Sequence, residues 1–153
     1  MFDMKILLAI DSSKYSTAAI KEVAKRPWPA RSIVRVLSVV EPYPAIAVEP
    51  FYGGGEVLET LDREMKRRAT NLTKKTVDRL KSKDLKVEAR VRTGDPSSEI
   101  VDEAREWSAD LIVLGSHGYT GIKRLFLGSV ALSVVGHASC SVEVVRKQSK
   151  KSR

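Results

Sequence analysis

A single cysteine, Cys140, is the entire thiol content of this chain. Without a second thiol there is no intrachain disulfide and no multi-cysteine zinc site. Long hydrophobic runs are also lacking. The apolar stretch near the start is short and leads into the polar residues Asp11, Ser12 and Ser13, which fits neither a signal peptide nor a membrane span. A reducing, cytoplasmic setting is therefore expected, with no membrane partner. Several chemistries are absent as well. There is no G-x4-G-K-[ST] phosphate loop, no nucleophile elbow, no pair of apposed carboxylates and no metal-ligand cluster.

Acidic residues are in the minority: 19 against 27 Lys and Arg, a net charge of +8 over 153 residues. The excess is concentrated. Residues 62–86 carry ten basic side chains against Asp62, Glu64, Asp78 and Asp84, and the last eight residues carry five with no acid. Nucleic-acid binding is one reading of such patches, and a solvated helix face with a frayed tail is the other. The second is preferred, because no aromatic residue interleaves the tail to stack bases. With 42% hydrophobic and 30% charged residues the composition is that of a soluble globular protein. The expected organisation is one domain over residues 1–147 followed by a disordered basic tail, 148–153.

Strands and helices alternate along the chain. Met4–Ile10 is apolar except for Lys5, the pattern of a strand buried on both faces. Asp11, Ser12 and Ser13 supply helix-capping chemistry, Tyr15, Ala19 and Val23 share a helical face, and Pro27 and Pro29 stop that helix. Ile33–Val40 is a β-branched strand. Residues 41–55 read as a long loop. Leu58, Leu61, Met65, Ala69, Leu72, Thr76 and Leu80 recur every three or four positions, the inner stripe of a long helix with the basic residues outside. Leu85, Val87, Ala89 and Val91 alternate with charges, as in a strand near a sheet edge. Asp95-Pro96 starts a third helix, with Ile100, Val101, Ala104 and Trp107 as its buried stripe. Leu111–Leu114 is a central strand. A fourth helix begins near Gly128-Ser129, with Val130, Val134 and Val135 inward, and Val142–Val145 is the last strand.

This order implies an α/β protein with an open parallel sheet and helices on both faces. In such sheets ligands bind at the carboxyl ends of the strands, where the strand order reverses. Asp11 and Gly115 end the first and fourth strands, one on each side of the expected reversal.

The stretch after the fourth strand carries the chemistry. Gly115-Ser-His117-Gly118 is followed, after nine residues, by Gly128-Ser129, a G-x2-G-x9-G-S spacing between an apolar strand and a helix. Gly115 and Gly118 let backbone approach a ligand without an intervening Cβ. Gly128 and Ser129 put free N–H donors at a helix amino terminus, where the dipole favours an anion. Asp11 has two readings, a helix cap or a group that accepts from ribose hydroxyls or holds a divalent cation beside phosphates. His117 either contacts phosphate or packs. Cys140 reads as a small buried residue without reactivity.

These residues carry a family resemblance. Lys5–Ser13, Gly94–Ile100, Ala109–Gly118 and Leu127–Val130 together resemble the universal stress protein family, in its ATP-binding, G-x2-G-x9-G-[ST] subgroup. The resemblance spans the whole chain. It implies a five-stranded Rossmann-like sheet ordered 3-2-1-4-5. It also implies a homodimer built through the last strand, with Val142, Val144 and Val145 in the contact. The implied cofactor is ATP with Mg²⁺ or Mn²⁺, the metal on Asp11. Adenine is expected near Val39, and ribose near Asp11 and Gly115. Phosphates are expected against His117, Gly118, Gly128, Ser129 and Val130, and Ala9, Leu114 and Ala131 complete the binding set. Three positions depart from the family pattern: Ala131 where many members have Ser or Thr, Ser141 for a common proline, and Glu143 in a strand usually apolar throughout.

The resulting expectation is a nucleotide-dependent stress-response or signalling module with no catalytic residues. Two alternatives stay open, a slow ATPase on the same fold and an interaction module that binds no nucleotide.

Overall fold

The computed structural model describes residues 4–44, 55–81, 85–118 and 126–147. Five strands, β1 (Lys5–Ala9), β2 (Ile33–Val40), β3 (Lys86–Thr93), β4 (Leu111–Gly115) and β5 (Ser141–Val145), form one parallel sheet ordered β3-β2-β1-β4-β5. Between them lie the helices α1 (Lys14–Lys25), α2 (Gly55–Lys81), α3 (Pro96–Trp107) and α4 (Ser129–His137). This is the expected α/β architecture and strand order.

The sheet buries both of its faces at the centre. On β1, Ile6 and Leu8 join a core that includes Ala19, Ile20 and Val23 of α1 and Val77 and Leu80 of α2. Leu7 and Ala9 turn to the other side, against Ile100 and Ala104 of α3 and Ala131 and Val134 of α4. That double burial explains why the strand reads as an unbroken apolar run. At roughly 1.5–3 kcal/mol for each fully buried aliphatic side chain, it is a main source of stability.

The helix ends follow from local chemistry. Ser13 caps α1 by accepting from the Ser16 N–H at 3.2 Å. Arg26 leaves the helix in an extended conformation because Pro27 follows it. Asp95 caps α3, accepting from the Ser98 N–H at 2.9 Å, with Pro96 in the first turn. Its carboxyl is held below the usual range by that bond first, then by the Ser97 and Ser98 hydroxyls.

Two details differ from the sequence reading. The inner face of α4 consists of Ala131 and Val134, with half-buried Val130 packed against the same core, and Val135 is 48% exposed. A Val-Val pair puts only one member on a given helical face, and the second valine points outward. On α3, Trp107 is only half-buried, and the fully buried position between Ile100 and Ala104 is Glu103. Glu143 is the one acid of β5. It meets Arg26, at the end of α1, at 2.6 and 2.7 Å.

Glu103 is 2% exposed and takes Arg35 of β2 and Arg92 of β3 at 2.7 Å each. Arg92 also reaches Glu99 and Glu106 of α3, and Arg35 reaches Glu88. This ion cluster ties edge strand β3 to the helix above it. Inward-facing charge of this kind also discourages pairing of the edge with another chain. Among the described residues, no helix is long and apolar enough to cross a membrane.

Candidate functional site at the carboxyl ends of β1 and β4

β1 pairs with β2 on one side and β4 on the other, so the chain direction of the crossovers reverses between β1 and β4. Asp11 lies just past β1, and Gly115 closes β4. The expected switch point is therefore formed by these residues.

Asp11 is fixed by the turn that opens α1. Its Oδ1 accepts from the Ser13 N–H at 2.8 Å and from the Ser16 hydroxyl at 2.9 Å. The Asp11 N–H donates to the Ser16 hydroxyl at 2.8 Å. The cap of the helix is thus Ser13, and Asp11 is held as an oriented carboxylate in front of it. Its other oxygen faces the glycine loop: a Cβ added to Gly118 would lie 3.4 Å from Asp11 Oδ2.

The glycines divide into two roles. A Cβ on Gly115 would sit 2.7–2.8 Å from the backbone and Cβ of Tyr15. Gly115 is therefore required by the close packing of α1 on β4. Gly128 lies against the loop itself, where a Cβ would meet His117 Cα at 3.0 Å and the Gly118 nitrogen at 3.6 Å. The Gly128 N–H donates to the Ser116 carbonyl at 2.8 Å, and the Ser116 N–H donates to the Val145 carbonyl at 3.0 Å. Residues 116–118 are thereby suspended between β5 and the start of α4. Unlike α1 and α3, α4 receives no side-chain cap. Its amino terminus begins beside Gly118, which in turn lies next to the Asp11 carboxylate.

His117 is buried, 8% exposed. Its Nδ1 lies 2.9 Å from the Ser116 hydroxyl, and its ring tilts against Tyr15 with centroids 4.9 Å apart. It joins the α1 lip of the site to the α4 lip. Ser129 is exposed and Val130 half-buried in the first turn of α4. Ala9, Leu114 and Ala131 are 6%, 4% and 2% exposed and form the apolar floor, with half-buried Val39 packed against the same core. The structure thus gathers Asp11, Gly118, Gly128 and Ser129 at one mouth, above Ala9, Leu114 and Ala131. Residues 119–125, including Gly121, lie outside the described residues.

Sequence reading missed Tyr15, Ser16 and Ser116. A faint signal existed for Ser16: Asp followed by Ser at the second and fifth positions is the pattern of a turn closing into a capped helix. Among the described residues no cluster of three or more His, Cys, Asp or Glu side chains is placed to hold a metal by itself. A cation at this site would need ligand phosphates beside Asp11, the usual way Mg²⁺ is held. Cys140 stands apart, half-buried, its thiol pushed up by burial and then by the charge of Asp110.

Comparison with known proteins agrees with this architecture. A universal stress protein MJ0531 of Methanocaldococcus jannaschii is 34% identical over 146 residues, covering 95% of this chain and 84% of its own length. The solved structure of MJ0577, from the same organism, superposes with a TM-score of 0.82 at 29% identity, covering 98% of this chain and all of that one. A family member from Arabidopsis thaliana, solved with AMP bound, shares the fold at a TM-score of 0.68, 19% identity and coverage of 98% and 95%. The model of the universal stress protein family matches residues 4–146, and the chain belongs to that family.

Proposed function

We propose that this protein binds ATP at the mouth between β1 and β4, with Mg²⁺ or Mn²⁺ on Asp11, and acts as a cytoplasmic, nucleotide-dependent stress-response or signalling module. The observation that carries the reading is the convergence at one point of the Asp11 carboxylate, the Gly118 backbone and the uncapped amino terminus of α4. Backbone donors there suit phosphate, and the carboxylate suits a ribose hydroxyl or a phosphate-bound cation. Val39 offers an apolar wall for the base. The AMP-bound relative from Arabidopsis thaliana indicates that this fold accommodates an adenine nucleotide. Ala131 brings no hydroxyl, but it is buried in the floor, so the phosphates would rely on Ser129 and the backbone.

The proposed unit is a single domain over residues 1–147 with a basic tail beyond it, assembled as a homodimer through β5. Strand β5 is an open sheet edge, Val142, Val144 and Val145 are half-buried, and Leu132 and Val135 of α4 are exposed on the helix packed beside it. An apolar edge is satisfied by pairing in a closed two-fold dimer.

Calorimetry with ATP and Mg²⁺ tests the site. Ser129→Asp puts a carboxylate at the donors of α4 without entering the core, and abolishes ATP binding in a folded protein. Undiminished affinity in that variant would remove this site. Denaturing the protein as purified and identifying released nucleotide by chromatography separates the alternatives. ATP indicates a binder, an excess of ADP indicates turnover, and neither indicates a module without nucleotide.

A further inference from the structure

At the other end of the sheet, where β2 and β3 begin, there is an open groove of about 720 Å³. It lies between the carboxyl end of α1, the segment joining α1 to β2, and the start of β3. Pro27, Trp28, Pro29 and Leu85 give it an apolar wall, and Lys25, Arg26, Arg31 and Lys86 supply cations. Among the described residues, none of the eleven that line it is acidic. The wall is held in place. The Trp28 indole N–H donates to the Val23 carbonyl at 2.9 Å, and the Arg26 guanidinium stacks on the ring at 5.0 Å. The Ser32 N–H and hydroxyl both donate to the Pro29 carbonyl, at 3.2 and 2.6 Å, closing the turn that carries Arg31.

We propose that this groove docks an extended acidic segment of a partner protein. An apolar side chain of the segment sits against Pro27, Trp28 and Leu85, and its carboxylates are met by Lys25 and Lys86 at the rim. A preformed apolar wall with cations at its rim gives a short peptide both an anchor and a steering field. Lys25 pairs with Glu22 at 2.8 Å, but its side chain is 68% exposed, and such a pair exchanges partners at little cost. Single-stranded nucleic acid fits the same surface less well. The Trp28 face is occupied by Arg26, leaving it poorly placed to stack a base. Glu22 and Glu143, both bound to Arg26, set two carboxylates beside the groove that interrupt a continuous phosphate track. The proposal is independent of nucleotide binding at the opposite end of the sheet.

Fluorescence anisotropy of the full chain tests it, using a short fluorescein-labelled Glu-rich peptide with one central Leu, and labelled oligothymidylate for comparison. The peptide binds and weakens with added salt, and replacing its Leu by Ser weakens it further. The double reversal Lys25→Glu with Lys86→Glu lowers affinity by about tenfold or more. Lys74→Glu with Lys75→Glu, exposed positions on α2 outside the groove, changes the net charge equally and leaves affinity within about twofold. Should the first double variant melt early, Lys86→Glu alone replaces it, with a loss of several-fold expected. Equal losses in both double variants, no peptide binding, or tighter binding of oligothymidylate would each overturn the proposal, the last in favour of nucleic acid.

Discussion

The guanidinium of Arg26 donates to both carboxylate oxygens of Glu143, at 2.6 and 2.7 Å, joining the end of α1 to the outermost strand β5. The acid in a strand otherwise rich in valine is thus spent within its own chain, on the α1 face of the sheet. Val142 and Val144 pack toward the other core.

The first prediction measures that link. Both side chains are about 30% exposed, Arg26 at 32% and Glu143 at 29%, so the pair is neither surface nor core. A double-mutant cycle with Arg26→Ala and Glu143→Ala, read by urea unfolding, gives a coupling of roughly 0.5–1 kcal/mol. A coupling near zero would mean that the contact does not hold β5 to α1 in solution.

Glu103 gives the second prediction. Burial works against its ionisation, but hydrogen bonds from Arg92 and then Arg35 prevail and hold its carboxyl below the ordinary range. A carboxylate with a lowered folded pKa contributes fully above its unfolded value of about 4.3, and that stability is lost as pH falls through the folded pKa. The urea midpoint therefore declines as pH falls below the unfolded value of about 4.3, and declines less in Glu103→Gln. Glu103→Ala costs about 3 kcal/mol at neutral pH, the low end for breaking a buried pair. The low end applies because Arg92 keeps Glu99 and Glu106, and Arg35 keeps Glu88.

Glu103 also marks a limit of sequence reading. Its position between Ile100 and Ala104 is on the inner face of α3, yet its partner Arg35 is 68 residues away in sequence. No local pattern announces a buried carboxylate whose neutralising charges arrive from two strands. The central strands were legible for the opposite reason: burial on both faces leaves a continuous apolar run that needs no knowledge of the neighbours. The site was half legible. Asp11, Gly118 and Gly128 stand at a recognisable spacing, whereas Tyr15 and Ser16 look like any first helical turn until β4 and the loop are brought against them.

The third prediction separates the glycines by stability. Gly115→Ala forces a Cβ to 2.7–2.8 Å from Tyr15 backbone, which cannot yield as a flexible side chain does. Overpacking of this kind costs about 1–3 kcal/mol. The variant is expected to unfold at lower urea, with or without nucleotide. Wild-type stability in Gly115→Ala would show that α1 is free to move off β4.

The fourth prediction is the counterpart. Among the described residues, a new Cβ at Gly118 meets only Asp11 Oδ2, at 3.4 Å, an ordinary contact distance. Gly118 is not at positive φ, so an L residue is accepted without backbone strain. Gly118→Ala is therefore expected to fold with a urea midpoint close to wild type. The methyl group nevertheless enters the gap between Asp11 and the α4 amino terminus, where the proposed site needs backbone to approach phosphate directly. ATP affinity then drops by about tenfold or more, equivalent to roughly 1.4 kcal/mol, measured by calorimetry at fixed Mg²⁺. The two substitutions add the same group three residues apart, and they are expected to divide cleanly, one reducing stability and the other binding. If Gly118→Ala binds ATP as wild type does, the phosphates do not pass between Asp11 and the loop, and the site at this mouth must be redrawn around Ser129 and the first turn of α4 alone.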